Sequence, residues 1–196
     1  MARPAGQGEQ TKKLIAAKAK ALFEQKGYSA ATMDEICSIT GSSKGSIYYH
    51  FKNKAALFIY ILELSTQEWV DKWVEIEATV HTSTEKLYKL ANHFATDFQN
   101  PLLKASEEFA GSESADPEVK TRLLELSRLH YPLFQQLLKE GIEHGEFRDV
   151  PLDEFTFIVL GLLAGLGISY FDYEYEQMEE LYRKAIDLLL QGVQVK

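Results

Sequence analysis

Apolar residues recur along this chain at intervals of three and four, and no stretch alternates cleanly between apolar and polar. The pattern predicts helices from end to end. The first is expected at about Gln10–Lys26, where Ile15, Ala19, Leu22 and Phe23 share a face and Gly27 suits the end. Thr32-Met33-Asp34-Glu35 is a capping box that opens a second helix, with Ile36 and Ile39 as its apolar side. Gly41 stops that helix, and a short third one runs from about Ser43 to His50. Asn53 can cap a long fourth helix from Lys54, along which Leu57, Ile61, Leu64, Trp69, Trp73, Ile76 and Val80 fall.

After a polar break at His81–Ser83, Leu87, Leu90, Ala91, Phe94 and Phe98 mark a fifth helix. Asn100-Pro101 and Asp116-Pro117 each place a capping side chain before a proline, and predict a short sixth helix and a longer seventh. Pro132 falls inside the seventh and either kinks it or divides it in two, and Gly145 ends it. Residues 151–171 form the most apolar segment. A final helix, about Glu176–Gly192, carries Met178, Leu181, Tyr182, Ala185, Ile186, Leu188 and Leu189 among charges. The expected architecture is all-α, with about nine helices. A small N-terminal unit of three helices occupies residues 1–55 and a larger helical body residues 56–196.

At 196 residues the chain can bury a sizeable core. The single cysteine, Cys37, forms no internal disulfide and argues against a metal cage. No apolar signal-peptide core opens the chain, which points to a cytoplasmic protein. The formal net charge of -8 speaks against a polyanionic partner until its distribution is considered. Residues 1–55 hold nine Lys and Arg against four Asp and Glu, a balance of +5 that leaves -13 on the remainder. A basic head on an acidic body directs a polyanion to one end of the molecule.

Gly41-Ser42-Ser43-Lys44-Gly45 fits Gly-x-Ser-x-Gly, the pattern of a hydrolase nucleophile elbow. An elbow needs a strand entering the turn and a sheet to carry the oxyanion hole, whereas Met33–Thr40 is capped and patterned as a helix. His81, His93, His130 and His144 have no distinctive neighbourhood that would supply a base and an acid. Phosphate-loop and His-Glu-x-x-His motifs do not occur, and Gly161, Gly165 and Gly167 fail the dinucleotide spacing. The sequence calls for no catalytic residue, no cofactor and no metal. A serine hydrolase centred on Ser43 stands only as a distant alternative.

The same stretch has the dimensions of a helix-turn-helix, a motif that lays its second helix in the major groove of DNA. Ile47 and Phe51, four apart, can anchor the third helix to the first two, leaving Ser43, Lys44, Gly45, Ser46, Tyr49 and His50 largely outward. Lysine and serine side chains suit base edges or phosphates, and Gly45 permits close approach to the groove. Tyr48 and Tyr49 offer hydroxyls to phosphates and ring faces to sugars. Lys54 stands in the first turn of the fourth helix, where free backbone N–H groups also favour a phosphate. Taken singly, each residue also fits a solvated helix surface. Their concentration on one short helix is what favours DNA.

The run TMDEICSITGSSKGSIYYHFKNKAAL, preceded by IAAKAKALFEQKGY, resembles the DNA-binding head of the TetR family of bacterial transcriptional regulators (TetR/AcrR type). The match rests on Ile15, Ala19, Leu22-Phe23, Gly27-Tyr28, Thr32, Ile36, Gly41, Ser43, Gly45, Tyr48, His50-Phe51, Lys54 and Leu57, about the first third of the chain. Thr40 and Ser42 replace the family's usual small or aliphatic residues beneath the turn. The resemblance implies DNA contacts by Thr32, Ser43, Lys44, Gly45, Ser46, Tyr48, Tyr49, His50 and Lys54, and a polar arm containing Arg3 that extends along the DNA or is disordered when free. It implies double-stranded operator DNA, a small-molecule effector and a second copy of the chain as partners. A repressor released by a small apolar or aromatic effector is the implied activity, with activation as the alternative within the class. A helical small-molecule binder without DNA activity is the alternative outside it.

Family members pair through their last two long helices. Here FTFIVLGLLAGLGISYF, residues 155–171, holds no charge and must be covered on several sides. At 17 residues it reaches only the lower end of the ~17–25 needed to span a bilayer, and acidic residues flank it, so no membrane is expected. Phe155, Val159, Leu162, Leu166, Tyr170, Leu181, Ala185 and Leu188 are the expected dimer residues. For the effector, Trp69, Trp73, Phe94, Phe98, Phe109, His130, Tyr131 and Phe134 are candidate lining, with ordinary core packing as the other reading and His93 or His130 as a polar handle.

Overall fold

A computed structural model describes residues 5–97, 100–112, 117–167, 169 and 172–193. The described helices are α1 (Ala5–Ala30), α2 (Met33–Thr40), α3 (Lys44–His50), α4 (Lys54–Glu77), α5 (Ser83–Asp97), α6 (Leu102–Ala110), α7 (Pro117–Ser127), α8 (Tyr131–Glu143), α9 (Leu152–Leu166) and α10 (Tyr175–Val193). The all-α expectation holds. Arg3, Phe98, Asp116 and Tyr170 lie outside the described residues.

Two predicted stops take their glycines for backbone reasons. Gly27 has φ 81° and interrupts the helical path of α1, and Gly41 ends α2 at φ 66°. Pro132 divides rather than kinks: α7 ends at Ser127 and the proline falls in the first turn of α8, where its missing N–H costs nothing.

Packing separates two compact units. The first comprises residues 1–67 and 101–127, so it contains the first three helices, the start of α4, and also α6 and α7. Its core joins Ile15, Ala19, Leu22 and Phe23 of α1 to Ile36, Ile47, Phe51, Leu57, Phe58 and Ile61, with Leu102, Ala105 and Phe109 from α6. An aromatic nest explains why α6 belongs here. The Tyr28 ring centre lies 4.7 Å from that of Phe109 and 5.0 Å from that of Phe58. The packing boundary therefore differs from the functional division expected at residues 55 and 56, because α4 is a single helix that starts in this core.

The second unit comprises residues 68–100 and 128–196. Trp73, Phe134, Phe147, Val159, Leu163, Tyr182 and Ile186 are fully buried in it. Among the described residues, its buried side-chain polar atoms all have hydrogen-bond partners. The Tyr182 hydroxyl donates to the Leu163 carbonyl at 2.7 Å, joining α10 to α9. The Glu146 carboxylate accepts the amides of Ser83 and Thr84 at 2.8 and 2.9 Å, capping α5 from a residue far along the chain. No helix among the described residues is long and apolar enough to cross a membrane.

Candidate nucleic-acid interface

The turn between α2 and α3 is built from local hydrogen bonds. The Thr40 hydroxyl donates to the Ile36 carbonyl at 2.7 Å and accepts from the Ser42 amide at 3.3 Å. The Thr40 hydroxyl thus ties the turn to the last carbonyls of α2 and to the Ser42 backbone. Ser43 caps α3, its hydroxyl accepting the Ser46 amide at 3.2 Å. That is a capping role. Ile47 is fully buried and Phe51 is 3% exposed, so α3 is pinned by the expected pair. Ile39, expected on the apolar side of α2, is instead 41% exposed, and Ile36 alone on α2 is buried.

The outer side of α3 is what this anchoring presents. Tyr49 is 82% exposed, Tyr48 is half exposed, and Ser43, Lys44 and Gly45 are exposed beside them. Ser46 and His50 are half-buried, with the His50 ring edge-on to Tyr49 at 5.0 Å. Nothing beyond the Ser43 hydroxyl approaches within 4.0 Å of where a Gly45 Cβ would stand, so the helix surface is low there. Lys44 is not free: its Nζ lies 2.6 Å from Asp34 Oδ1, and that carboxylate raises the lysine pKa. The pattern of apolar positions gave no signal for this pair, because it crosses from one helix to the next.

Thr32 is exposed and caps α2 as the sequence predicts. Its hydroxyl accepts the Glu35 amide at 3.2 Å, and the Glu35 carboxylate accepts the Thr32 amide at 3.1 Å. Lys26 pairs with Glu35 and, with the Thr32 bonds, holds that carboxyl below its usual range. Lys54 departs from the expected position at an open helix end. Its ammonium turns inward, donating to the carbonyls of Tyr28 at 2.8 Å and Ala31 at 2.9 Å and sitting 4.2 Å from the Tyr28 ring centre. Burial lowers its pKa, against a smaller opposing pull from Glu108. The carbonyls exposed where α1 ends outcompete solvent for the ammonium. Sequence reasoning also missed the start of α1: Lys12 sits over the Tyr60 ring at 3.9 Å, and the Tyr60 hydroxyl donates to Glu9 at 2.8 Å. Burial and Glu9 push the Tyr60 phenol up to about 12.

Within the second unit, the aromatic candidates converge on Trp69. Its ring stacks on His93 at 4.2 Å, with His130 edge-on at 4.5 Å and Phe94 at 5.1 Å. Phe94 in turn meets Phe134 at 5.7 Å, and Trp73 lies 6.3 Å from His93. His93 Nε2 is 3.0 Å from the Trp69 carbonyl, which can only accept, so that nitrogen carries the proton. Two candidates lie elsewhere. Tyr131 donates to Asp153 at 3.1 Å and faces Phe157, one residue's rotation away from His130. Phe109 is in the first unit, packed among Tyr28 and Phe58.

The expected dimer residues divide by burial. Phe155, Val159 and Ala185 are enclosed within this chain, while Leu162, Leu166 and Leu181 are half-buried. Leu188 is 69% exposed. On α9 the exposed apolar residues are Phe157 and Ile158, at 64% and 60%, with Gly161, Ala164 and Gly165 exposed along the same helix. An apolar helix that its own chain covers on only one side accounts for this pattern.

Sequence models of two known families match the chain. Residues 15–61 match "Bacterial regulatory proteins, tetR family", and residues 65–195 match "QacR-like protein, C-terminal region". The HTH-type transcriptional regulator QacR of Staphylococcus aureus is 28% identical over 177 residues, spanning 89% of this chain and 94% of that protein. IcaR of Staphylococcus epidermidis, a negative transcriptional regulator of the biofilm operon icaADBC, is 27% identical over 157 residues, 80% of each chain. Among solved structures, a TetR-family regulator from Pectobacterium atrosepticum superimposes with a TM-score of 0.80 at 21% identity, covering 99% of both chains. The transcriptional regulator FadR from Bacillus subtilis, solved in complex with stearoyl-CoA, gives 0.76 at 19% identity over 92% of this chain and 98% of that one. With both the head and the body matched, this chain belongs to the tetR family of bacterial regulatory proteins, transcriptional regulators of which many are repressors.

Proposed function

We propose that the protein is a cytoplasmic, homodimeric repressor that binds a palindromic operator through α3 and is released by a small apolar or aromatic effector. The observation that carries this reading is the two-sided chemistry of α3. Ile47 is wholly buried, while Tyr49 is 82% exposed among serine, lysine and glycine. Ser43, Lys44, Ser46, Tyr48, Tyr49 and His50 face base edges and phosphates, Gly45 permits close approach, and Thr32 meets the backbone from the start of α2. Lys54 supports the head from inside instead of contacting a phosphate. Two heads occupy half-sites one helical turn apart, ~34–36 Å, or a multiple of it.

The rings around Trp69 support an apolar or flat effector, with His93 or His130 as its polar contact. The similarly folded FadR was solved with stearoyl-CoA, a ligand that joins an apolar acyl chain to a charged coenzyme A head. Pairing through α9 and α10 would cover Phe157, Ile158 and Leu188. Release requires the effector to bind the DNA-incompetent state more tightly than the other. The test is fluorescence anisotropy of a labelled duplex across a salt series. The expected result is an affinity that falls linearly on a logarithmic salt scale and that flat apolar compounds lower. Affinity for no duplex at any salt contradicts the proposal.

A further inference from the structure

Residues 27–31, which turn the chain from the break in α1 at Gly27 toward the cap of α2, are held from two sides by residues distant in sequence. From α6, Glu108 Oε2 accepts the Ser29 amide at 3.0 Å. The carboxylate rests directly on Gly27: a Cβ there would lie 2.4 Å from Oε1 and 2.6 Å from Oε2. From α4, the Lys54 ammonium takes the carbonyls of Tyr28 and Ala31. The Tyr28 ring fills the space between, against Phe58 and Phe109. Thr32, the next residue, caps α2, and α2 leads through the Gly41 turn into α3.

We propose that Glu108, outside the helix-turn-helix segment, is a positioning residue for DNA recognition, its carboxylate acting with Lys54 as a clamp on the α1–α2 turn that sets how α2 and α3 are presented. The proposal rests on the DNA-binding reading above. Apolar packing of Phe109 on Tyr28 would hold α6 to α1 without fixing direction. A carboxylate on one amide and an ammonium on two carbonyls add the direction, because hydrogen bonds fall off steeply with angle. The charge of Glu108 makes the proposal testable by sign. If the residue acted only through its field, removing a negative charge would tighten binding to DNA. Loss of a clamp weakens it.

The experiment compares the full-length parent with Glu108→Ala and Glu108→Gln. It measures duplex affinity across a salt series, melting temperature, and hydrogen exchange at the Ser29 amide by NMR. The expected result is binding weakened about tenfold in Glu108→Ala, with an unchanged salt slope and faster Ser29 exchange. Glu108→Gln, whose amide oxygen can still accept the Ser29 N–H, recovers affinity to within about threefold. In Glu108→Ala, tighter binding, affinity within about twofold of the parent or unchanged Ser29 exchange overturns the proposal, as does a glutamine variant no better than alanine. A parent that binds no duplex overturns the DNA-binding reading itself, and is recognised before any substitution is made.

Discussion

Lys44, the first residue of α3, forms an ion pair with Asp34 of α2, Nζ to Oδ1 2.6 Å. Both side chains are largely exposed, so the pair adds little to stability. In the proposed DNA complex its consequence is for recognition, since the DNA would have to take the lysine from the aspartate. Asp34→Asn is expected to tighten duplex binding several-fold at low salt and to steepen the salt slope by about one. In a Lys44→Ala background the gain should shrink. An equal gain in both backgrounds would mean that Asp34 acts on the DNA directly.

Gly27→Ala should be among the most damaging single-methyl changes in the first unit. The φ of 81° disfavours any side chain, and the new Cβ would collide with the Glu108 carboxylate. A loss of about 1–3 kcal/mol is expected, visible as a lowered denaturation midpoint. At Gly41 the φ is similar but the space is open, so Gly41→Ala should cost less.

Burial lowers the pKa of His93 below the ordinary imidazole value of ~6.5. The unfolded chain therefore takes up a proton at higher pH than the native one. The stability tied to neutral His93 is complete above the ordinary value and is lost as pH falls through the lower folded value. Thermal melts should show this decline on acidification. Tryptophan emission should change over the same range, because His93 stacks on Trp69. His93→Gln is expected to flatten the response.

If two copies pair through α9 and α10 as proposed, charges placed on the uncovered side of those helices should separate them. Ile158→Glu and Leu188→Glu each put a carboxylate on an exposed apolar residue. Sedimentation velocity should then report monomers that keep their helical content. Val159→Ala, at a site buried within the chain, should lower stability by about 0.5–2 kcal/mol without changing the oligomeric state.

The parts of this molecule that were legible in its sequence are those set by neighbours a few residues away. Ile47 and Phe51 announce the anchored side of α3 by their spacing, Thr32 and Glu35 announce a cap, and Gly27 and Gly41 mark turns that only glycine enters easily. Lys54 reads as outward in the sequence, because local spacing cannot show that two carbonyls 23 and 26 residues earlier accept from its ammonium. Glu108 on Ser29 and Glu146 on the start of α5 were missed for the same reason. The apolar composition of residues 155–171 calls for cover on several sides. It could not say that Phe155 and Val159 are covered by their own chain while Phe157 and Ile158 are not.

If α3 reads DNA, duplexes enriched by the protein from a random-sequence pool will share a two-fold symmetric motif, with half-sites about one helical turn apart or a multiple of it. Tyr49→Ala should abolish the enrichment while leaving the fold intact. A pool that shows no enrichment over input at low salt, or a motif still enriched by Tyr49→Ala and Lys44→Ala together, would contradict this reading.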